Sequence, residues 1–243
     1  MKKIILVIAV LAISLFAINH LKEKTIEEGL VELQNTSSLE QKTSNKEIKS
    51  QTNNTMYVKE GVHYDTLKTP LSLPPYNGTI ISEFFWLGCP HCQNFEADVN
   101  RWKSVLNQTK PTIVDKNAVP GSERWNLDAR VFYTMKKLNA SDKQITDMLS
   151  LYKREALLYK TLPTIKRMES LFVEVGFDSK SAMEILNDEN ALKDELTFSN
   201  NEFTKLNAGG VPAFVVNGKY KIRFDNVSSN EQILEIIKYL SNK

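Results

Sequence analysis

Four consecutive residues, Cys89-Pro90-His91-Cys92, carry the most pointed chemistry in the chain. Two sulfurs three positions apart on a helix have Cα atoms about 5–6 Å apart, within the span that a disulfide accepts. The pair can therefore cycle between dithiol and disulfide with little backbone movement. A Cys-X-X-Cys can also form half of a structural zinc site, but zinc needs about four ligands. The chain has no other cysteine, and its only other histidines are His20 and His63. No metal and no cofactor are expected, and the two sulfurs themselves would carry the electrons.

The flanking residues set where these sulfurs sit. Thr79 to Leu87 is short, rich in Ile and Phe and apolar on both faces, which predicts a fully buried strand. After the cysteines, Phe95, Val99, Trp102, Val105 and Leu106 recur at helical spacing. Cys89 is therefore expected exposed at a helix N-terminus, among N–H groups without intrahelical partners and at the positive end of the helix dipole. Both effects favour a thiolate. His91 adds an N–H donor or a positive charge, and Pro90 lacks an N–H where the first turn needs none. Cys92, one turn further in, is expected to be buried and to act as the resolving thiol. A stabilised thiolate makes the disulfide form the stronger oxidant. The expectation is a thiol–disulfide redox site in an α/β, thioredoxin-like fold.

Two motifs together carry a family resemblance. Glu83-Phe84-Phe85 ahead of Cys89-Pro90-His91-Cys92, and Gly210-Val211-Pro212-Ala213-Phe214-Val215-Val216-Asn217-Gly218-Lys219-Tyr220 about 120 residues later, resemble the DsbA family of bacterial periplasmic thiol oxidases. The resemblance covers Tyr57 to Lys243. It implies a helical domain inserted into the thioredoxin scaffold. It implies that Pro212 is a cis-proline opposite the disulfide, leaving the Val211 backbone to pair with an extended substrate. It also implies re-oxidation by a quinone-linked membrane partner of the DsbB type. Glu83 is anomalous in a buried strand, where a carboxylate costs several kcal/mol unless protonated or paired. In the resembling family an acidic residue here pairs with a lysine on the next strand, and Lys116 is the matching position. Such a pair would tune Cys92 and pass protons during exchange.

The composition is that of an ordinary globular protein. The chain has 243 residues, is 42% hydrophobic and 25% charged, and carries a net charge of +2, with no basic excess to suggest nucleic acid. Lys2 and Lys3 precede an apolar run, so residues 1–18 read as a secretory signal or retained signal anchor. Residues 19–56 are largely Ser, Thr, Asn, Gln, Lys and Glu and read as a polar spacer. Export to the periplasm follows, with the domain soluble or tethered to the inner membrane.

Residues 57–121 and 208–243 are assigned to the thioredoxin-like domain, and residues 122–207, with only helical patterns, to the insertion. Tyr57 to Tyr64 has alternating strand character, and Thr112 to Val119 reads as the strand after the active-site helix. Ser141 is expected to cap one inserted helix. Another is expected to run up to Gly176, and a last, longer one from Leu192 to near Gly209. Ala213–Val216 and Lys219–Arg223 are expected strands joined by an Asn217-Gly218 turn. Ser228 with Glu231 reads as a capping box for the final helix. The expected activity is a dithiol oxidase acting on reduced exported proteins. The alternative is an isomerase or reductase of the same fold, oligomerised through its N-terminal segment.

Overall fold

A computed structural model describes residues 57–243; the expected signal and spacer lie outside the described residues. Strand β2 (Thr79–Phe85) is buried at every position and is the axis of a five-stranded sheet. Its neighbours are β3 (Thr112–Ala118), which runs parallel, and β4 (Ala213–Val216), which runs antiparallel. Strand β5 (Tyr220–Ile222) and then β1 (Tyr64–Thr66) extend the sheet antiparallel on the β4 side. The β2–β3 register sets Glu83 opposite Lys116, and the β2–β4 register sets Glu83 opposite Phe214.

Because successive strand residues face opposite ways, β2 serves two cores at once. Ile81 points into a cluster with Phe214, Val216, Val99, Trp102 and Leu106, closed by Ile233, Ile236 and Ile237. Phe84 points the other way, against Leu67, Leu71, Ala213, Val215 and Leu206. The first face is covered by helices α1 (Pro90–Leu106) and α7 (Asn230–Ser241). A continuous apolar strand is what this double burial requires.

Five helices lie between β3 and β4: α2 (Glu123–Lys137), α3 (Asp142–Tyr159), α4 (Ile165–Glu174), α5 (Ser179–Asn187) and α6 (Lys193–Lys205). They share one apolar core in which Phe132, Met135, Met148, Tyr152, Met168, Leu171 and Phe172 are all buried. Phe85, Leu87, Cys89 and Cys92 belong to the same cluster, so the helical insertion packs directly against the cysteine loop. The fold is thioredoxin-like with an inserted helical domain. Among the described residues no helix is long and apolar enough to cross a membrane.

Several local expectations need correction. The first strand begins only at Tyr64, because Gly61, at φ +77°, turns the chain and donates its N–H to the Tyr64 carbonyl. Helix α5 escapes the sequence pattern because it buries only Ala182 and Leu186; Asp178 caps it by accepting from Ser181 N–H. Helix α6 ends at Lys205 rather than near Gly209, where Asn207 takes φ +43°. Strand β5 is shorter than Lys219–Arg223 by one residue at each end. The last cap is displaced by one position. Ser229, not Ser228, accepts from Gln232 N–H, and the Gln232 side chain takes the Ser228 N–H in place of any bond from Glu231. The Ser141 cap forms a full capping box with Gln144.

The β4–β5 turn is over-determined. Asn217 (φ +51°) and Gly218 (φ +66°) both take left-handed backbone, as a tight two-residue hairpin turn demands. Asn217 Oδ1 accepts from Ile80 N–H at 3.0 Å, tying the turn to β2. A Cβ on Gly218 would lie 2.8 Å from Leu73 Cδ1. Gly218→Ala should therefore cost more than about 1 kcal/mol through left-handed strain alone. Urea unfolding of the variant should show a lower midpoint with an unchanged slope.

Candidate active site

Helix α1 begins immediately after Cys89, whose backbone is extended (φ −81°, ψ 117°), with Pro90 in the first turn. No side chain caps this helix start. The Cys89 carbonyl accepts from Gln93 N–H at 3.0 Å, and the Gln93 side chain reaches back to the Leu87 carbonyl at 2.7 Å. The loop before the helix is thus held from within the helix itself. Cys89 and Cys92 are present as free thiols.

The two sulfurs are unequal. The Cys89 thiol is pushed down to about 6, chiefly by a hydrogen bond from the Cys92 side chain and further by the Cys92 and His91 backbone N–H groups and the His91 charge, against burial. Cys92 is shifted strongly the other way, by donating that same hydrogen bond and by its burial. Pro90 and His91 are exposed. Cys89, expected exposed, is in fact buried, at 6% exposure, because the loop before β4 leans over it. Its sulfur lies 3.7 Å from the Val211 carbonyl. The Val211–Pro212 peptide bond is cis. Beside Pro212 opens a cavity of about 440 Å³, lined among others by Asp65, Gly210, Lys221, Arg223 and Phe224.

Beneath the cysteines lies a buried charge cluster. Lys116 Nζ is 2.6 Å from Glu83 Oε2 and 2.6 Å from Glu96 Oε2. Burial raises the Glu83 carboxyl more than the Lys116 ammonium lowers it, and the Glu96 charge adds to the rise. For Lys116 burial is the largest single influence and acts downward, but the two glutamates together outweigh it and hold the ammonium above its ordinary value. Glu96 is also satisfied by the Thr146 hydroxyl at 2.6 Å and by Asn100 Nδ2 at 3.3 Å. The sequence reading missed Glu96. Its signal was a carboxylate four residues after Cys92, on the helix face that the apolar stripe buries.

A second buried carboxylate was missed as well. Asp128 on α2 is fully buried and accepts from Trp86 Nε1 at 2.7 Å, Tyr152 OH at 2.7 Å and the Arg124 guanidinium at 2.6 and 2.9 Å. Its only trace in the sequence is the Arg124–Asp128 spacing of four, common on any solvated helix.

No family model matches the chain. Among curated proteins it is 26% identical over 185 residues to a DsbA from Azotobacter vinelandii, covering 75% of this chain and 83% of that one. It is 25% identical to a DsbA from Pseudomonas aeruginosa, covering 75% and 84%. The crystal structure of Pseudomonas aeruginosa DsbA superposes with a TM-score of 0.64 at 23% identity, over 76% of this chain and 93% of that one. Its relatives are DsbA-type thiol:disulfide interchange proteins. A Cys-to-Ser variant of Proteus mirabilis DsbA, in complex with a non-covalently bound peptide, shares the fold with a TM-score of 0.58 at 18% identity. That likeness spans 77% of this chain and the whole of that one. DsbA homologues are thiol:disulfide oxidoreductases.

The depressed Cys89 value has a readable sign. A thiol held near 6, below an unfolded value near 9, stabilises the reduced fold fully above the unfolded value and loses that stability as pH falls through 6. Alkylation of the reduced protein by iodoacetamide should therefore titrate with a midpoint near pH 6, with the label on Cys89 and Cys92 spared, as read by peptide mass. Labelling chiefly on Cys92 would overturn the assignment.

Lys116→Met should leave Glu83 and Glu96 facing each other without a cation, costing about 3–5 kcal/mol at neutral pH. The deficit should shrink as pH falls, because burial inclines the Glu83 carboxyl to take up a proton. In Glu83→Leu/Lys116→Met, Glu96 keeps Thr146 and Asn100, so part of the loss should return. Urea midpoints across pH 4 to 8 measure both effects.

Proposed function

We propose that this protein is an exported dithiol oxidase that passes the Cys89–Cys92 disulfide to reduced cysteine pairs in other exported proteins. The observation that carries the reading is the inequality of the two thiols: Cys89 is low and faces the Val211–Pro212 loop, while Cys92 is high and buried beneath it.

In the oxidised enzyme a substrate thiolate attacks Cys89 Sγ. The Cys89–Cys92 bond breaks, a mixed disulfide forms at Cys89, and Cys92 leaves with the electron pair and takes up a proton. Glu83, which burial inclines to hold a proton, is a carboxyl among the influences on Cys92 and is assigned to that proton's path with Lys116. A second substrate thiolate then attacks the substrate sulfur of the mixed disulfide. Cys89 departs as its stabilised thiolate, and the substrate leaves with the new bond. Two electrons have moved from substrate to enzyme.

His91 and Pro90 shape the exposed turn beside the attacked sulfur. The Val211 backbone is assigned to pairing with an extended substrate segment, and Pro212 to framing it. The peptide bound by the Proteus relative supports a peptide ligand here. Return to the disulfide falls to a quinone-linked membrane partner of the DsbB type. Residues 1–18 would direct export to the periplasm, with or without a retained tether to the inner membrane.

A thiolate favoured in the reduced state raises the reduction potential, which separates an oxidase from a reductase of the same fold. Equilibration with glutathione should leave the domain mostly reduced under conditions where thioredoxin-like reductases stay oxidised. The reduced form should also melt above the oxidised form. His91→Pro removes a backbone N–H and a charge that both favour the Cys89 thiolate, so it should narrow the melting gap and raise the alkylation midpoint. An oxidised wild type that melts above the reduced one would overturn the oxidase reading in favour of a reductase or isomerase.

A further inference from the structure

We propose that Asp128, a buried carboxylate of the inserted helices, is a positioning residue for the redox pair and acts through Trp86. The inference rests on the thiol–disulfide reading of Cys89 and Cys92.

Trp86 is the last residue before the Leu87-Gly88-Cys89 turn, and its backbone bonds directly to Cys89. Its carbonyl accepts from Cys89 N–H at 3.0 Å, and its backbone is among the influences on the Cys92 thiol. Whatever fixes Trp86 therefore fixes a backbone contact of Cys89. Its indole is held on several sides. Nε1 donates to Asp128 Oδ2 at 2.7 Å, and the ring stacks on Trp125 with centroids 4.8 Å apart and planes 18° from parallel. The space above Gly88 is closed as well, since a Cβ there would lie 2.6 Å from Trp86 Cζ2 and 2.6 Å from Leu162 Cδ1.

Asp128 is in turn immobilised. Tyr152, fully buried on α3, donates its hydroxyl to Oδ1. Arg124 grips both oxygens, and its remaining nitrogen donates to the Pro163 carbonyl at 2.6 Å. That last bond holds the loop whose Leu162 presses on Gly88. One carboxylate thus gathers α2, α3 and the loop before α4, and presents a single fixed acceptor to the residue that precedes the cysteine turn. An apolar ring at position 86 would still leave Asp128 with Arg124 and Tyr152, so the indole bond is the contact that ties this carboxylate to the cysteine turn.

The test compares wild type with Asp128→Asn and Trp86→Phe. Three quantities are read on each protein: the pH midpoint of Cys89 alkylation, the dithiol–disulfide equilibrium with glutathione, and the melting temperature. Trp86→Phe removes the indole donor together with part of the ring and leaves the Asp128 and Arg124 charges in place. If Trp86 is the link, both variants should raise the Cys89 midpoint by about half a unit, equivalent to about a threefold shift of the equilibrium towards disulfide. If both variants melt lower but keep the wild-type midpoint and equilibrium, Asp128 is a structural residue only and the proposal fails. A shift in Asp128→Asn alone would assign the effect to charge and also overturn it. Should Asp128→Asn not fold, Trp86→Phe decides by itself. A wild type that does not equilibrate with glutathione would sink the oxidoreductase reading, while the alkylation midpoints, which need no exchange, would still decide whether Trp86 positions Cys89.

Discussion

The hydrogen bond from the Cys92 thiol to the Cys89 sulfur is the interaction on which the rest of the site depends. It separates two chemically identical side chains into a thiolate and a thiol. The separation holds only while one sulfur is buried and the other meets helix N–H groups. Strand β2 delivers the first condition by running fully buried up to the turn. The uncapped start of α1 delivers the second, because no side-chain oxygen competes for those N–H groups. A serine or aspartate cap in place of Cys89 would stabilise the helix by about 1 kcal/mol. The sulfur occupies that position instead.

The Glu83–Lys116–Glu96 cluster shows what the site costs the fold. Burying charges is unfavourable unless each is matched, and here two carboxyls share one ammonium under the cysteines. When Glu83 is ionised its charge opposes ionisation of Cys92, and Glu83 is among the influences raising that thiol. The cluster therefore acts in the same direction as the sulfur–sulfur hydrogen bond. Thr146 on α3 completes the coordination of Glu96, so the inserted helices support the charge cluster as well as the cysteine turn.

The elements of the scaffold were legible wherever burial is periodic or continuous. Strand β2, helix α1 and the Asn217-Gly218 hairpin each follow from local pattern, because each has a single energetically sensible arrangement. Helix α5 was not legible, since two small buried contacts leave no stripe to read. The displaced cap at Ser229 differs from the expected one by a single residue, a choice between neighbouring serines that depends on where the preceding turn delivers the chain. Of the site, the cysteines and the Glu83–Lys116 register could be read from local sequence and family resemblance. Glu96 left a signal in its place on the buried face of α1, which went unread. Asp128 left almost none, because it looks like an ordinary helix-surface acid and only the approach of a second helix turns it inward.

The cysteines and the loop that covers them lie 122 positions apart in sequence, with the five inserted helices strung between. Strand β2 also finds one of its two partners, β4, only across this interval. Such distant pairings form late, after loop closure has been met by other contacts. A chain synthesised from its N-terminus, at about 5–20 residues per second, therefore displays its dithiol for many seconds before the opposing loop exists. Over that interval the pair is an unshielded nucleophile in an unfinished chain, so the order of residues along the polypeptide sets a period of chemical vulnerability that the folded architecture conceals.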